Sequence, residues 1–169
     1  VTFKNVVTFN MDEYVGLPKE HDQSYWYFMH VNFFNHIDIP AENINILNGM
    51  AEDPEAECQR YEDKIASYGG IDLFMGGSGV DGHIAFNEPQ PELSNEEFRN
   101  LPTRVVELAP ETRVKDAILS RGGAIDAVEK CAISVGMKEI LGAKKLRFSM
   151  MLDMQRAVIR RACCGEVTS

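Results

Sequence analysis

Asp81, His83 and Glu88 fall within eight residues of one another in GGSGVDGHIAFNEP, Gly76 to Pro89, directly after the apolar run IDLFM. A turned loop brings either carboxylate against an imidazole nitrogen of His83. Such a partner fixes the ring tautomer and raises its pKa, which suits a proton shuttle near neutral pH. A second pair of carboxylates, Asp12 and Glu13, follows the apolar stretch NVVTFNM. A base on one loop and a carboxylate-supported histidine on another are the parts needed to move a proton α to a carbonyl. Taken singly, each also fits a plainer reading, a rigid loop histidine or a solvated turn. The pattern by itself leaves the substrate open.

Gly77, Gly79 and Gly82 satisfy G-x-G-x-x-G after a strand. A dinucleotide site needs a helix to begin inside that motif so that its amides meet the pyrophosphate. Here the glycines lead into HIAFNEP, which Pro89 interrupts, so no cofactor is expected. The three glycines are candidates instead for a sharp turn that lets backbone amides approach a small ligand.

Both loops must be held by something. NVVTFN, IDLFMG, TRVVEL, CAISVG and KLRFSMML read as short strands. Cys58, Tyr61, Ile65 and Tyr68 recur at helical spacing, which predicts an amphipathic helix over Asp53 to Tyr68. The aromatic stretch SYWYFMHVNFFNH predicts a largely buried helix, and MQRAVIRRACC a last helix stopped by Gly165, its RR residues on a solvated face. Met150, Met151 and Met154 are expected to fill core, and NEPQPELSNEEFRNLP to form a polar surface loop. Strands alternating with helices imply the α/β class: a Rossmann-like parallel sheet flanked by helices in one domain over residues 1–169. In such sheets the working residues gather at the carboxyl ends of the strands, where FNMDEYVGLP and GGSGVDGHIAFNEP both lie.

The chain has 169 residues, 44% apolar and 25% charged, with a formal net charge of -9, which disfavours nucleic acid and anionic membranes as partners. Cys58, Cys131, Cys163 and Cys164 form no C-x-x-C pair, and His21, His30, His36 and His83 stand at no ligand spacing from them. Reduced thiols in a cytoplasmic setting, and no metal, are the expectation.

VVTFNMDEYVGLP, SYWYFMHVNFFNHIDIPAENINILNG, AECQRYEDKIASYGGIDLFMGG and DGHIAFNEP together resemble the isomerase-type glucosamine-6-phosphate deaminase family, from Val1 to Pro89 and more weakly beyond. The resemblance implies a cofactor-free conversion of glucosamine 6-phosphate and water to fructose 6-phosphate and ammonia. It implies that Asp12 is the base that takes the C2 proton and returns it at C1. His83 would open the pyranose ring, supported by Asp81 and Glu88. Arg156, in MQRAV, stands where the family has a lysine, and joins Gly77, Gly79 and Gly82 as expected substrate-binding residues.

The family's first strand and Gly/Thr-rich phosphate loop lie upstream of Val1. The segment QPELSNEEFRNLPTR departs from the family while retaining Arg104, and Arg121 is near the family's phosphate arginine but shifted. These departures leave open a non-catalytic sugar-phosphate-binding relative, an enzyme fragment or, more remotely, a 6-phosphogluconolactonase-like enzyme. A parallel sheet lacking its first strand would expose an apolar edge, so a homo-oligomer or a partner chain is expected.

Overall fold

The computed structural model describes residues 1–166. In chain order the elements are β1 (Thr8–Phe9), β2 (Asp12–Tyr14), α1 (Tyr25–Asn32), β3 (Ile44–Asn45), α2 (Pro54–Ser67), β4 (Leu73–Gly76), α3 (Asn95–Arg99), β5 (Arg104–Glu107), α4 (Pro110–Ser120), β6 (Cys131–Ser134), α5 (Met137–Leu141), β7 (Lys145–Phe148) and α6 (Arg156–Cys164). This is an α/β fold. Each strand expected from the apolar runs is present in shortened form. Among the described residues the strands form three short ladders: β1 with β3 in parallel, β2-β6-β5, and β4 with β7 in parallel. No helix among the described residues is long and apolar enough to cross a membrane.

The chain divides into two compact units, residues 1–60 with 105–133, and residues 61–104 with 134–169. In the first, the core comprises Leu17, Phe34, Leu47, Leu108, Ala132 and Ile133. Asp12 to Tyr14, expected as loop, is a buried strand beside β6. Its three residues are too few, and two of them too acidic, to read as a strand by composition.

Helix α1 starts at Ser24, whose hydroxyl accepts from Tyr27 N at 3.0 Å. The Glu13 carboxylate accepts from Tyr25 N at 3.0 Å and Trp26 N at 2.9 Å. Together they satisfy first-turn amides that a helix cannot pair internally. The expected burial of this aromatic helix is not found: none of its residues is fully buried, and Phe28 is 55% exposed. Within the helix Trp26 stacks on His30 at 3.7 Å, Tyr25 stacks on Tyr14 of β2, and among the rings of this stretch only Phe34, past the helix end, is fully buried. Helix α2 follows its prediction to within a residue at each end. Asp53 Oδ1 accepts from Glu55 N and Ala56 N, and Pro54 opens the helix where no internal donor is needed.

In the second unit Tyr61, Ile65, Phe74, Phe86, Val135 and Ile140 form the core. Strands β4 and β7 run in register from Leu73 opposite Lys145 to Gly76 opposite Phe148. The expected surface loop contains α3, closed by a capping box in which Ser94 Oγ accepts from Glu97 N and Ser94 N donates to Glu97 Oε2. The methionine expectation fails for Met151 and Met154, 87% and 58% exposed, because the turn before α6 runs along the surface. Helix α6 ends at Gly165 as expected, with Arg160 and Arg161 exposed.

Candidate active site

Strand β4 ends at Gly76, and the chain enters the glycine loop. Ser149 N donates to Gly76 O at 2.8 Å, so the exit of β7 anchors the loop's first residue. Gly82 has φ +108°, a conformation that a side chain disfavours. Gly79 serves differently. A β-carbon there would lie 2.1 Å from Cε1 and 2.4 Å from Nδ1 of His83, so the bare backbone is the seat on which the imidazole rests. Gly79 N also donates to His83 O at 2.9 Å, closing the loop around that seat. Gly77 packs its α-carbon towards the Ser149 carbonyl.

Two carboxylates face the seated imidazole. Asp81 Oδ1 lies 2.7 Å and Glu88 Oε2 3.2 Å from His83 Nδ1. Both approach Nδ1 away from the axis of its N–H, making ion-pair contacts rather than straight hydrogen bonds. Asp81 Oδ1 also accepts from His83 N at 3.2 Å. Contact with Glu88 raises the His83 pKa most, burial opposes it, and the charges of Glu88 and Asp81 add to the rise. The Asp81 carboxyl is desolvated by burial, yet its contact with Glu88 and the amide and charge of His83 hold it below its ordinary value. Nε2 of His83 makes no hydrogen bond among the described residues. One ring nitrogen is therefore oriented by carboxylates while the other is left to serve a substrate oxygen. The donor atoms of Asp81, His83 and Glu88 all lie within 4.8 Å of one another, a spacing that a divalent cation could also bridge.

Asp12 and Glu13, neighbours in sequence, have separate positions in the first unit. Glu13 is 1% exposed and committed to the amides of Tyr14, Tyr25 and Trp26; burial raises its pKa against those bonds. Asp12 is buried on β2, where its charge, after burial itself, helps raise the phenols of Tyr14 and Tyr25. Those rings stack at 5.3 Å, and Tyr14 Oη donates to Asp116 Oδ2 at 3.0 Å. Sequence reasoning passed over Tyr25 and Asp116. Asp116 is far along the chain from Tyr14, and no local motif marks either residue.

The remaining candidates are less enclosed. The Arg156 side chain is 84% exposed, with Asp153 3.7 Å away. Its neighbour Gln155, unmarked in the sequence, reaches the glycine loop, donating from Nε2 to Ser78 O at 2.8 Å. Arg121 is bound by both oxygens of Glu129, at 3.1 and 2.8 Å. Arg104 donates to Asn87 Oδ1 at 2.7 Å within the second unit.

Comparison with known proteins places this geometry. The chain is 58% identical over 167 residues to glucosamine-6-phosphate deaminases of Yersinia pestis and Yersinia pseudotuberculosis, matching 99% of its own length. It spans 60% of the length of those relatives. A solved structure described as a monomeric glucosamine-6-phosphate deaminase superposes with a TM-score of 0.87 at 35% identity, over 99% of this chain and 66% of that one. A 6-phosphogluconolactonase from Thermotoga maritima, 17% identical, superposes with a TM-score of 0.70 over 96% of this chain and 65% of its own, a likeness of fold alone. Residues 1–114 match the family described as glucosamine-6-phosphate isomerases/6-phosphogluconolactonase, and the chain belongs to that family.

Proposed function

We propose that this chain carries the catalytic residues of an enzyme that converts glucosamine 6-phosphate and water to fructose 6-phosphate and ammonia. The observation that carries the reading is the seated His83, with two carboxylates at Nδ1 and Nε2 left to a substrate. The 58% identity to proteins named for this reaction supports it over the lactonase alternative.

In this reading His83 Nε2 exchanges the proton between O1 and the ring oxygen, opening the pyranose, while Glu88 and Asp81 stabilise the imidazolium. The Asp12 carboxylate takes the C2 proton. The electron pair of that C–H bond becomes the C1–C2 double bond of an enolamine as the π pair of the C1 carbonyl moves onto O1, which takes a proton from the His83 imidazolium; the C2 iminium formed in the next step returns a proton to the imidazole. Return of the proton to C1 gives a C2 imine, which water hydrolyses to the ketone and ammonia. Atoms and electrons balance without a cofactor. Gly77, Gly79 and Gly82 let the loop lie close to the sugar, and Arg156 offers a positive charge to its phosphate.

The parallel pairings of β1 with β3 and β4 with β7 support a Rossmann-like sheet within a single domain. Amino-sugar metabolism in the cytoplasm is the setting that fits this substrate. Exposed Leu73 and Met75 on β4 and Leu146 on β7 support a homo-oligomer in which a second copy covers that surface. Analytical ultracentrifugation tests it, a monomer at micromolar concentration refuting it. The catalytic roles are tested by Asp12→Asn in deuterated water: exchange at C2 is expected to stop while the fold is kept. Retained exchange would remove Asp12 as the base.

A further inference from the structure

We infer that Ser134, at the carboxyl end of β6, is a positioning residue that holds the 83–88 loop in a strained turn and so presents Glu88 to His83. The inference deepens the reading of His83 given above and rests on it for its catalytic meaning.

Ala85 has φ +55°, and among the described residues no other non-glycine residue has positive φ. The left-handed region costs an alanine about 1 kcal/mol and persists where surrounding contacts over-determine it. Inside the turn, Ile84 and Asn87 form an isolated antiparallel bridge. Asn87 N and Asn87 Nδ2 both donate to Ile84 O at 3.0 Å. Outside the turn, Phe86 N donates to Ser134 Oγ at 3.0 Å, and Asn87 Nδ2 donates to Val135 O at 2.9 Å. Arg104 Nη1 completes the Asn87 side chain by donating to Oδ1 at 2.7 Å. Ser134 is 0% and Asn87 1% exposed, so water does not substitute for these bonds.

The consequence falls on the next residue. Glu88 follows Asn87 directly, and its carboxylate must reach back over the turn to lie 3.2 Å from Nδ1 of His83. The turn sets that reach, and the Ser134 hydroxyl is bonded at its middle. Among the described residues Ser134 makes no hydrogen bond with Asp81, His83 or Glu88 themselves. A serine that only filled core would leave the His83 environment unchanged when replaced.

The test is the titration of the His83 ring nitrogens, followed by nitrogen-15 NMR in the whole protein without substrate, for wild type, Ser134→Ala and Ser134→Thr. Ser134→Ala is expected to move the His83 titration towards lower pH as Glu88 drifts from Nδ1. Ser134→Thr keeps the hydroxyl and is expected to keep the wild-type curve. If Ser134→Ala does not fold, Ser134→Cys takes its place, with similar volume and a weak acceptor, and the same downward shift is expected. A folded Ala or Cys variant whose His83 curve superposes on wild type overturns the inference. Because the readout needs no turnover, a failure of the deaminase reading would appear as missing ammonia release and leave this result separate.

Discussion

Replacing Gly79 by alanine places a methyl group where the His83 ring now sits. The built β-carbon lies 2.1 Å from Cε1, 2.4 Å from Nδ1 and 2.5 Å from Nε2. Carbon atoms rest at about 3.5–4.0 Å, so the ring must withdraw by roughly 1.5 Å or the loop must deform. Either movement disturbs Nδ1 contacts of 2.7 and 3.2 Å with Asp81 and Glu88. Overpacking of this kind costs about 1–3 kcal/mol, which lowers Tm by roughly 2–12 °C in a domain of this size. Three measurements on Gly79→Ala follow: a thermal melt, the His83 ring titration, and product formation from glucosamine 6-phosphate. The expected result is a modest loss of Tm, a His83 titration moved towards lower pH, and a much larger loss of activity. A variant with wild-type Tm and a wild-type His83 curve would refute the claim that Gly79 is the seat of the ring.

Glu88→Gln removes the largest influence raising the His83 pKa. Protonated His83 stabilises the fold fully below its unfolded value of about 6.5, and that contribution is lost as pH rises through the higher folded value. Urea unfolding between pH 6 and 9 is expected to show this decline in wild type and a decline confined nearer the unfolded value in Glu88→Gln; identical pH profiles would contradict it. Glu139 is raised by burial first and by the charge of Glu62 next, and its Oε2 is buried without a hydrogen-bond partner. Its folded state therefore loses stability as pH rises above the ordinary carboxyl value of 4.5, and Glu139→Gln should flatten that slope and be the more stable form at neutral pH in urea unfolding begun below that value. Ser94→Ala, which breaks the α3 capping box, should cost about 1 kcal/mol locally, read as faster amide exchange over Asn95–Arg99 with little change in global stability.

Much of this was legible in the sequence, for identifiable reasons. Apolar runs gave away β4 and β6, and the spacing of Cys58, Tyr61 and Ile65 gave away α2, because burial against a core imposes a period on the chain. The DGHIAFNEP loop was legible because its three ionisable groups are neighbours in sequence. Strand β2 was not, since DEY is buried by pairing beside β6 and by the amides Glu13 serves, neither of which leaves an apolar pattern. Helix α1 misled because aromatic content suggests burial, whereas Tyr27 and Phe28 are exposed and Trp26 stacks on His30 without being fully buried. The Ser134 bond to Phe86 joins residues 48 apart, and a buried serine leaves no local pattern by which to find its partner. The Ser94-x-x-Glu97 box, by contrast, was on the page and marks the start of α3 inside the supposed loop.

The most direct test of the central claim is the formation of both ammonia and fructose 6-phosphate from glucosamine 6-phosphate, with His83→Ala as control. Equal amounts of both products are expected from the wild-type protein, and their loss in the folded variant. Substrate binding without either product, or equal turnover by His83→Ala, would contradict it.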